Sequence, residues 1–436
     1  MTFTDTHYPV VVVGGGQAGL SASYCLRERG IRHVVLEAYR LGHDWRTRRW
    51  ESFCLVTPNW QCALPGFPYK GPDPDGFMVR DEIVSYLERY AELFDPPLVE
   101  GVKATRLRRT DAGTFVLDTT AGRLSAEQVV VATGAYHVPS TPRIAERIPA
   151  GITQLHSADY HSSEALPPGE VLVVGSGQSG AQIAEDLHLA GRRVHLAVGN
   201  APRVARFYRG RDCVAWLEDM GHYAKSIDEF ADPAQVRGRV NHYVTGRDGG
   251  RDIDLRAFAA EGMRLYGRLD DIRGGTVSFA ADLASNLDYA DQVMESIKDA
   301  IDAHIDARGI DAPEEPRYVP AWEPDPESDP RELDLAAAGI TTVIFSTGFR
   351  PDYTWIEVPV FDGRGYPTHW RGVTSAPGLY FLGLPWQYTW GSGRMEGVGR
   401  DARYLAERID AARRITDVCG TLTGPPPSVS AEPLMS

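Results

Sequence analysis

The chain has 436 residues, 43% of them hydrophobic and 24% charged, enough to build more than one core, so two domains are the default. Its formal charge is −14, from 45 basic against 59 acidic residues spread along the sequence, which excludes nucleic acid and an anionic membrane as main partners. Five cysteines (Cys25, Cys54, Cys62, Cys213, Cys419) without CxxC or metal-ligand spacing point to a reduced, cytoplasmic protein, and with no basic-then-apolar leader and no run of roughly 18 apolar residues, secretion and membrane insertion are not expected.

Pro9 to Ala38 predicts a βαβ unit: VVVV, the turn GGGQAG, a helix closed by Gly30, then HVVLE. On that helix Ala18, Ala22, Cys25 and Leu26 share a face. A second helix is expected from Asp81 as N-cap, with Ile83, Tyr86, Leu87, Tyr90 and Leu93 as its apolar stripe. Strands follow at FVLDT and VVVATG. From Gly169 the pattern restarts as EVLVVG, GSGQSG, a helix carrying Ile183, Ala184 and Leu187, then Gly191 and RVHLAV, a second βαβ unit. Between Asp212 and Asp311 one helix is legible, with Leu287, Ala290, Met294, Ile297, Ile301 and Ile305 on one face, and no sheet topology can be assigned. Six prolines from Pro313 to Pro330 mark a connector. TTVIFSTG, GLYFLG and a helix with Ala402, Leu405 and Ile409 follow, and after Gly420 the stretch GPPPSVSAEP is too poor in apolar residues to fold into a core.

Gly14, Gly16 and Gly19 form GxGxxG between a strand and a helix. The first permits the tight turn, the second lets a pyrophosphate approach the backbone, and the third lets helix and strand pack closely, with the anion on the positive helix end. Glu37, 18 residues after Gly19, ends the second strand where a carboxylate holds a ribose diol and repels a 2′-phosphate. Gly175, Gly177 and Gly180, with Gln178 and Ser179 between them, repeat the fingerprint, so two dinucleotides are expected. The Gly14-to-Glu37 spacing of 23, applied to Gly175, lands on Val198, which cannot hold a diol. Arg203, Arg206, Arg209 and Arg211 follow shortly, and Arg203 or Arg206 would pair a 2′-phosphate, which selects NADPH. The alternative for these arginines is a solvated loop with pairs to Asp212 or Glu218.

Both loops, the Gly42 to Trp45 segment, TPNW, Ala132 to Gly134, LHSADY and STGFRPD together resemble the flavin-containing monooxygenases, in particular bacterial single-component members and their plant YUCCA relatives. The resemblance covers almost the whole chain. It implies an α/β protein of two Rossmann-type domains: a discontinuous FAD domain (1–165 and 331–420) with an NADPH domain (166–330) inserted, and a disordered tail (421–436). It places Trp45, Thr133, Gly134 and Gly348 at FAD, Asn59 as the active-site asparagine, and Trp386, Tyr388, Trp390 and Gly391 beside the flavin ring. His156 and Tyr160 keep the end of the family motif FxGxxxHxxxY, but Ala150 and Ile152 stand at its Phe and Gly positions. Tyr160-His161 also departs from the Trp-Pro or Trp-Asp ending of Baeyer-Villiger enzymes. The implied activity is an FAD- and NADPH-dependent monooxygenase that forms a flavin hydroperoxide and oxygenates a small amine or sulfur nucleophile with O2, with a homodimer as the assembly to test.

Two other readings stay open at this stage. A disulfide-reductase-like flavoprotein would need a dithiol, for which Cys54 and Cys62, with seven residues between them, fit neither CxxC nor CxxxxC. An NADPH-sensing regulatory flavoprotein would bind both cofactors without oxygenating a substrate.

Overall fold

Val10 to Val13 are buried, as a central strand covered on both faces requires, and they end β1 (Phe3–Val13). A computed structural model describes residues 2–325 and 330–422. After β1 come α1 (Gln17–Glu28), β2 (His33–Leu36), α2 (Arg80–Phe94) and β3 (Gly122–Val131). β1 runs parallel to both β2 and β3, with Val11 opposite Val34 on one side and Val129 on the other. An antiparallel hairpin, residues 104–109 and 115–119, is paired onto the outer part of β3.

The second unit contains β4 (Thr153–His156), β5 (Glu170–Val174), α3 (Gln178–Leu189), β6 (Val194–Ala197) and β7 (Arg264–Tyr266). The chain then runs through α4 (Leu283–Arg308) and returns as β8 (Ile340–Phe345). All five strands are parallel, β8 lying between β4 and β5, and β6 between β5 and β7. β9 (Leu379–Phe381) rejoins the first sheet beside β3, and α5 (Val398–Leu422) packs on α1. The expected tail beyond Leu422 lies outside the described residues.

Several expectations are corrected. TTVIFSTG, assigned to the returning FAD segment, is β8 of the second sheet, and Thr153 to His156, assigned to the first segment, is that sheet's edge. Strands buried on both faces read alike in sequence whichever parallel sheet they join. Asp81 is not the N-cap: that place belongs to Val79, two residues earlier, whose amide donates to Glu82 Oε2 at 3.0 Å, and Asp81 sits in the first turn, where a carboxylate suits the helix dipole. Leu93 is exposed and Phe94 takes its place in the core. The unassigned region supplies β7 and two strands of a small antiparallel sheet completed by Glu332–Asp334. Among the described residues no helix is long and apolar enough to cross a membrane, and no cluster suits a metal ion.

One polar cluster joins the two units. Asp186 on α3, 7% exposed, accepts hydrogen bonds from Ser52 Oγ in the first segment, from Tyr160 Oη at 2.6 Å in the connection between the sheets, and from Arg247 Nη1 at 2.7 Å in the insertion. Its neighbour Glu185 is also buried, 3.0 Å from Arg251 Nη2. Burial pushes the Glu185 carboxyl up to about 7 from the ordinary 4.5, outweighing the opposing pull of Arg251. The folded chain therefore holds this proton more tightly than the unfolded one, so the stability it contributes is fully present below pH 4.5 and is lost as pH rises through about 7. Thermal midpoints measured across that range should fall with rising pH more steeply for the native chain than for Glu185→Gln; parallel curves would contradict this.

Candidate functional site

The first phosphate loop is shaped by what its glycines lack. Gly14 takes φ +110°, its amide donates to Leu36 O at 2.8 Å, and a Cβ there would lie 2.5 Å from Ala132 O at the end of β3. A Cβ at Gly19 would overlap the Gly14 carbonyl oxygen, so α1 can press onto the loop only with glycine there. Gly16 has nothing within 4 Å of its Cβ position and no side chain caps α1. The helix end thus faces open space, as an anion site requires. Glu37 Oε2 accepts from the Gly15 amide at 2.7 Å and Oε1 from the Tyr39 amide at 3.0 Å, which fixes the carboxylate at the rim of this cradle. Thr133 Oγ1, next to the loop, is buried without a partner. Gly134 follows it at φ +76° and its carbonyl accepts from Tyr353 Oη at 2.8 Å.

The second loop repeats this geometry. Gly175 takes φ +100° and its Cβ would lie 2.8 Å from Ser346 O at the end of β8; a Cβ at Gly180 would overlap the Gly175 carbonyl. Gly177 meets only Val240 Cγ1 at 3.6 Å, no side chain caps α3, and Ser346 Oγ, like Thr133 Oγ1, is buried without a partner. Gln178 Nε2 donates to Val244 O at 2.7 Å, tying the loop to the insertion, while Ser179 is exposed. The two cradles differ at the ribose end. Where the first loop presents Glu37, Val198 is buried and carries no charge, and the Ser176 hydroxyl accepts from the Gly199 amide at 3.0 Å. Sequence spacing found the missing carboxylate but not Ser176, whose position in the motif is occupied by Gly15 in the first loop.

Arg203 and Arg206 are both held by partners inside the protein. Arg203, 2% exposed, pairs with Asp291 of α4 at 2.7 Å and lies 4.2 Å over the Tyr318 ring. Arg206, 1% exposed, pairs with Asp212 at 2.7 Å and donates to Val56 O at 2.8 Å. Arg209 and Arg211 are paired with Asp302 and Asp219. The expectation that Arg203 or Arg206 reads a 2′-phosphate is corrected: acids brought in by the insertion neutralise both inside the protein.

Asn59 is buried with its amide committed, Nδ2 donating to Asp73 O at 2.9 Å and Oδ1 accepting from the Met78 amide at 2.8 Å, so it braces residues 73–78. Trp45 packs with Phe53 beneath Arg49. Trp390 lies 4.7 Å from the Tyr223 ring and 3.7 Å from Arg394, and a Cβ on Gly391 would overlap Glu396 Oε2. Gly391, Ser392 and Gly393 form a 3-10 turn separated from the start of α5 at Val398. Gly348, expected at FAD, follows β8 where the chain meets the first segment, its carbonyl accepting from the Ser140 amide at 2.9 Å. Its carbonyl also accepts from His156 Nε2 at 3.0 Å, where the chain crosses between sheets. Burial lowers the His156 pKa, the hydrogen bond to Gly348 acting the other way.

A family model described as pyridine nucleotide-disulphide oxidoreductase matches residues 11–218. An uncharacterized oxidoreductase, CzcO-like, of Geobacillus kaustophilus is 34% identical over 408 residues, covering 92% of this chain and 97% of the relative. The probable indole-3-pyruvate monooxygenase YUCCA9 of Arabidopsis thaliana is 31% identical over 406 residues, covering 86% of this chain and 83% of its own. The chain belongs to the flavin monooxygenase family. Its fold is that of the flavin-containing monooxygenase from Stenotrophomonas maltophilia, with a TM-score of 0.65 at 21% identity over 93% of this chain and 99% of that one. As a member of the family it is an oxidoreductase with FAD and NADPH as cofactors, and the two glycine cradles with their unpartnered hydroxyls fit two such groups. The disulfide-reductase alternative loses its support from Cys54 and Cys62. Both are buried, and burial pushes their thiols up to about 11 and about 12, away from the thiolate such chemistry needs.

In this flavin monooxygenase fold, Gly19→Ala should yield a colourless protein, whereas Gly180→Ala should keep its flavin absorbance and lose NADPH-driven bleaching. Absorbance spectra and anaerobic stopped flow read both. Arg203→Ala should cost on the order of 1.5–3 kcal/mol of stability, the loss of one charge-assisted pair, since Asp291 keeps Arg256 at 2.9 Å. Its NADP+ dissociation constant, by calorimetry, should stay within about threefold; a tenfold rise would restore Arg203 to the nucleotide.

Proposed function

We propose that the first loop holds FAD, the second holds NADPH, and the chain uses them to transfer one atom of O2 to a small nucleophilic substrate, an amine nitrogen or a sulfur. The observation that carries this reading is the pair of cradles, alike at all three glycines and unlike at the ribose end: Glu37 at one, Ser176 and Gly199 at the other. A carboxylate suits a ribose with free hydroxyls, and its absence removes the charge that would repel a 2′-phosphate.

The chain's own groups do four things in this scheme. The uncapped starts of α1 and α3 offer backbone amides to the two pyrophosphates. Thr133 and Ser346, hydroxyls without protein partners, are donors available to them. The aromatic pairs Trp45–Phe53 and Tyr223–Trp390 would offer apolar surface that keeps water from the reacting atoms. Asn59, with its amide spent on Asp73 and Met78, acts as a positioning residue for the segment beside it. When bound, flavin reduced by NADPH supplies activated oxygen; that chemistry belongs to the cofactor. A soft nucleophile takes the oxygen without an acid-base triad.

Under argon, NADPH should bleach the yellow protein, and oxygen admitted with a trial amine or thioether should give a product heavier by one oxygen atom in mass spectrometry. Absent bleaching would instead favour a regulatory NADPH sensor and sink the oxygenase reading.

A further inference from the structure

Two arginines remain that neither cradle uses. Arg394 lies flat on Trp390 with its guanidinium carbon 3.7 Å from the ring centre, Nη1 donating to Trp390 O at 2.6 Å and Nη2 to Asn241 Oδ1 at 3.0 Å. Arg49 lies over the rings of Trp45 and Phe53, at 5.2 and 5.6 Å, with Nη1 donating to Arg48 O at 2.7 Å. These partners are neutral: carbonyls, an amide and aromatic faces. Among the described residues no carboxylate forms an ion pair with either arginine.

The contrast with the other enclosed arginines is sharp. Burial is the largest effect on Arg203 and Arg256 too, but Asp291 together with Asp254 at the first and with Glu323 and Asp288 at the second outweighs it and both are raised, whereas burial prevails at Arg49 and Arg394 and both are lowered. Asp44 acts on Arg49 and Glu396 on Arg394 only from beyond ion-pair distance, too weakly to offset burial, so in a chain with 59 acidic residues against 45 basic ones these two half-buried cations leave a place for an anion from outside. Their place is set by their neighbours. Tyr136, two residues after Gly134, lies close enough to both to act on their charge. Asn241, the partner of Arg394, follows Val240, the residue that faces Gly177. The pair thus stands in the cleft between the two phosphate loops. A guanidinium held over a tryptophan ring keeps its N–H groups in one plane, the form that takes two oxygens of one anion.

We propose that Arg49 and Arg394 form an oxyanion subsite between the two loops, which takes either a phosphate of the bound nicotinamide nucleotide or a carboxylate on the substrate. The proposal rests on the reading of the loops given above and adds the charge class of what binds between them.

Calorimetric titration of the FAD-loaded chain with NADP+, benzoate and neutral benzamide tests it. In Arg49→Gln and Arg394→Gln, at least one of the two anions should bind about tenfold or more weakly, the loss expected for a charge-assisted pair. Weakening for NADP+ assigns the subsite to the nucleotide, weakening for benzoate to the substrate, and unchanged affinity for both overturns it. Should the variants fold poorly, phenylglyoxal labelling of the native chain, mapped by peptide mass, gives the same answer: NADP+ or benzoate, but not benzamide, should shield both arginines, and shielding by neither overturns the proposal. Flavin absorbance on the same samples separates the two readings, because a colourless chain that still shows anion shielding defeats the oxygenase assignment and leaves the subsite standing.

Discussion

A helix start can hold a phosphate against the end of a strand only if no side chain projects between them. At Gly19 and Gly180 the available space is smaller than a methyl group, because a Cβ would overlap the carbonyl oxygen of the first glycine of each loop. The remaining features of both cradles follow from that contact. It lets α1 and α3 lean onto β1 and β5, leaves their first amides facing outward past Gly16 and Gly177, and brings the neighbouring strand ends, at Thr133 and Ser346, against the turn. The same local solution is used twice in one chain, once in each unit.

Because this constraint is local, it was legible in sequence. Three glycines at fixed spacing between an apolar run and a helical stripe give the loop, the turn and the helix start together, and Glu37 followed from counting along one βαβ unit. What escaped was whatever depended on distant parts of the chain. Four clustered arginines looked like a phosphate reader, yet Arg203 meets Asp291, 88 residues away, and the charge is cancelled inside the protein. Arg49 follows Arg46 and Arg48 and Arg394 stands alone, and in neither setting does the sequence show the want of an acid at ion-pair distance, which exists only once the fold has assembled their surroundings. The sheet membership of β4 and β8 was equally invisible, since Ile340 to Phe345 has the uniform burial of any central parallel strand. The order of strands is decided by crossovers, through the insertion and the proline-rich connector, which carry no pattern of their own.

The duplication also shows where the two units had to diverge. Five and six residues beyond the third glycine, α1 carries Tyr24 and Cys25, whereas α3 carries Glu185 and Asp186, both buried. An apolar contact at that place would have held the helix to its neighbours without fixing an angle, because hydrophobic burial has no direction. Hydrogen bonds from Ser52, Tyr160 and Arg247 to one carboxylate do fix it, and they come from three separate segments. Trp50, two residues before Ser52, adds the apolar half of the joint by packing into the core of the second unit beside Tyr160. Hydride transfer between cofactors held by different units tolerates little error in separation, with reacting atoms about 3–3.5 Å apart. A buried carboxylate that must be satisfied by three donors is a costly way to stabilise a helix, but it is an effective way to set one unit at a defined orientation to the other. The residues Trp45 to Ser52 therefore serve both units: Trp45 and Arg49 pack on each other, while Trp50 and Ser52 anchor the second unit.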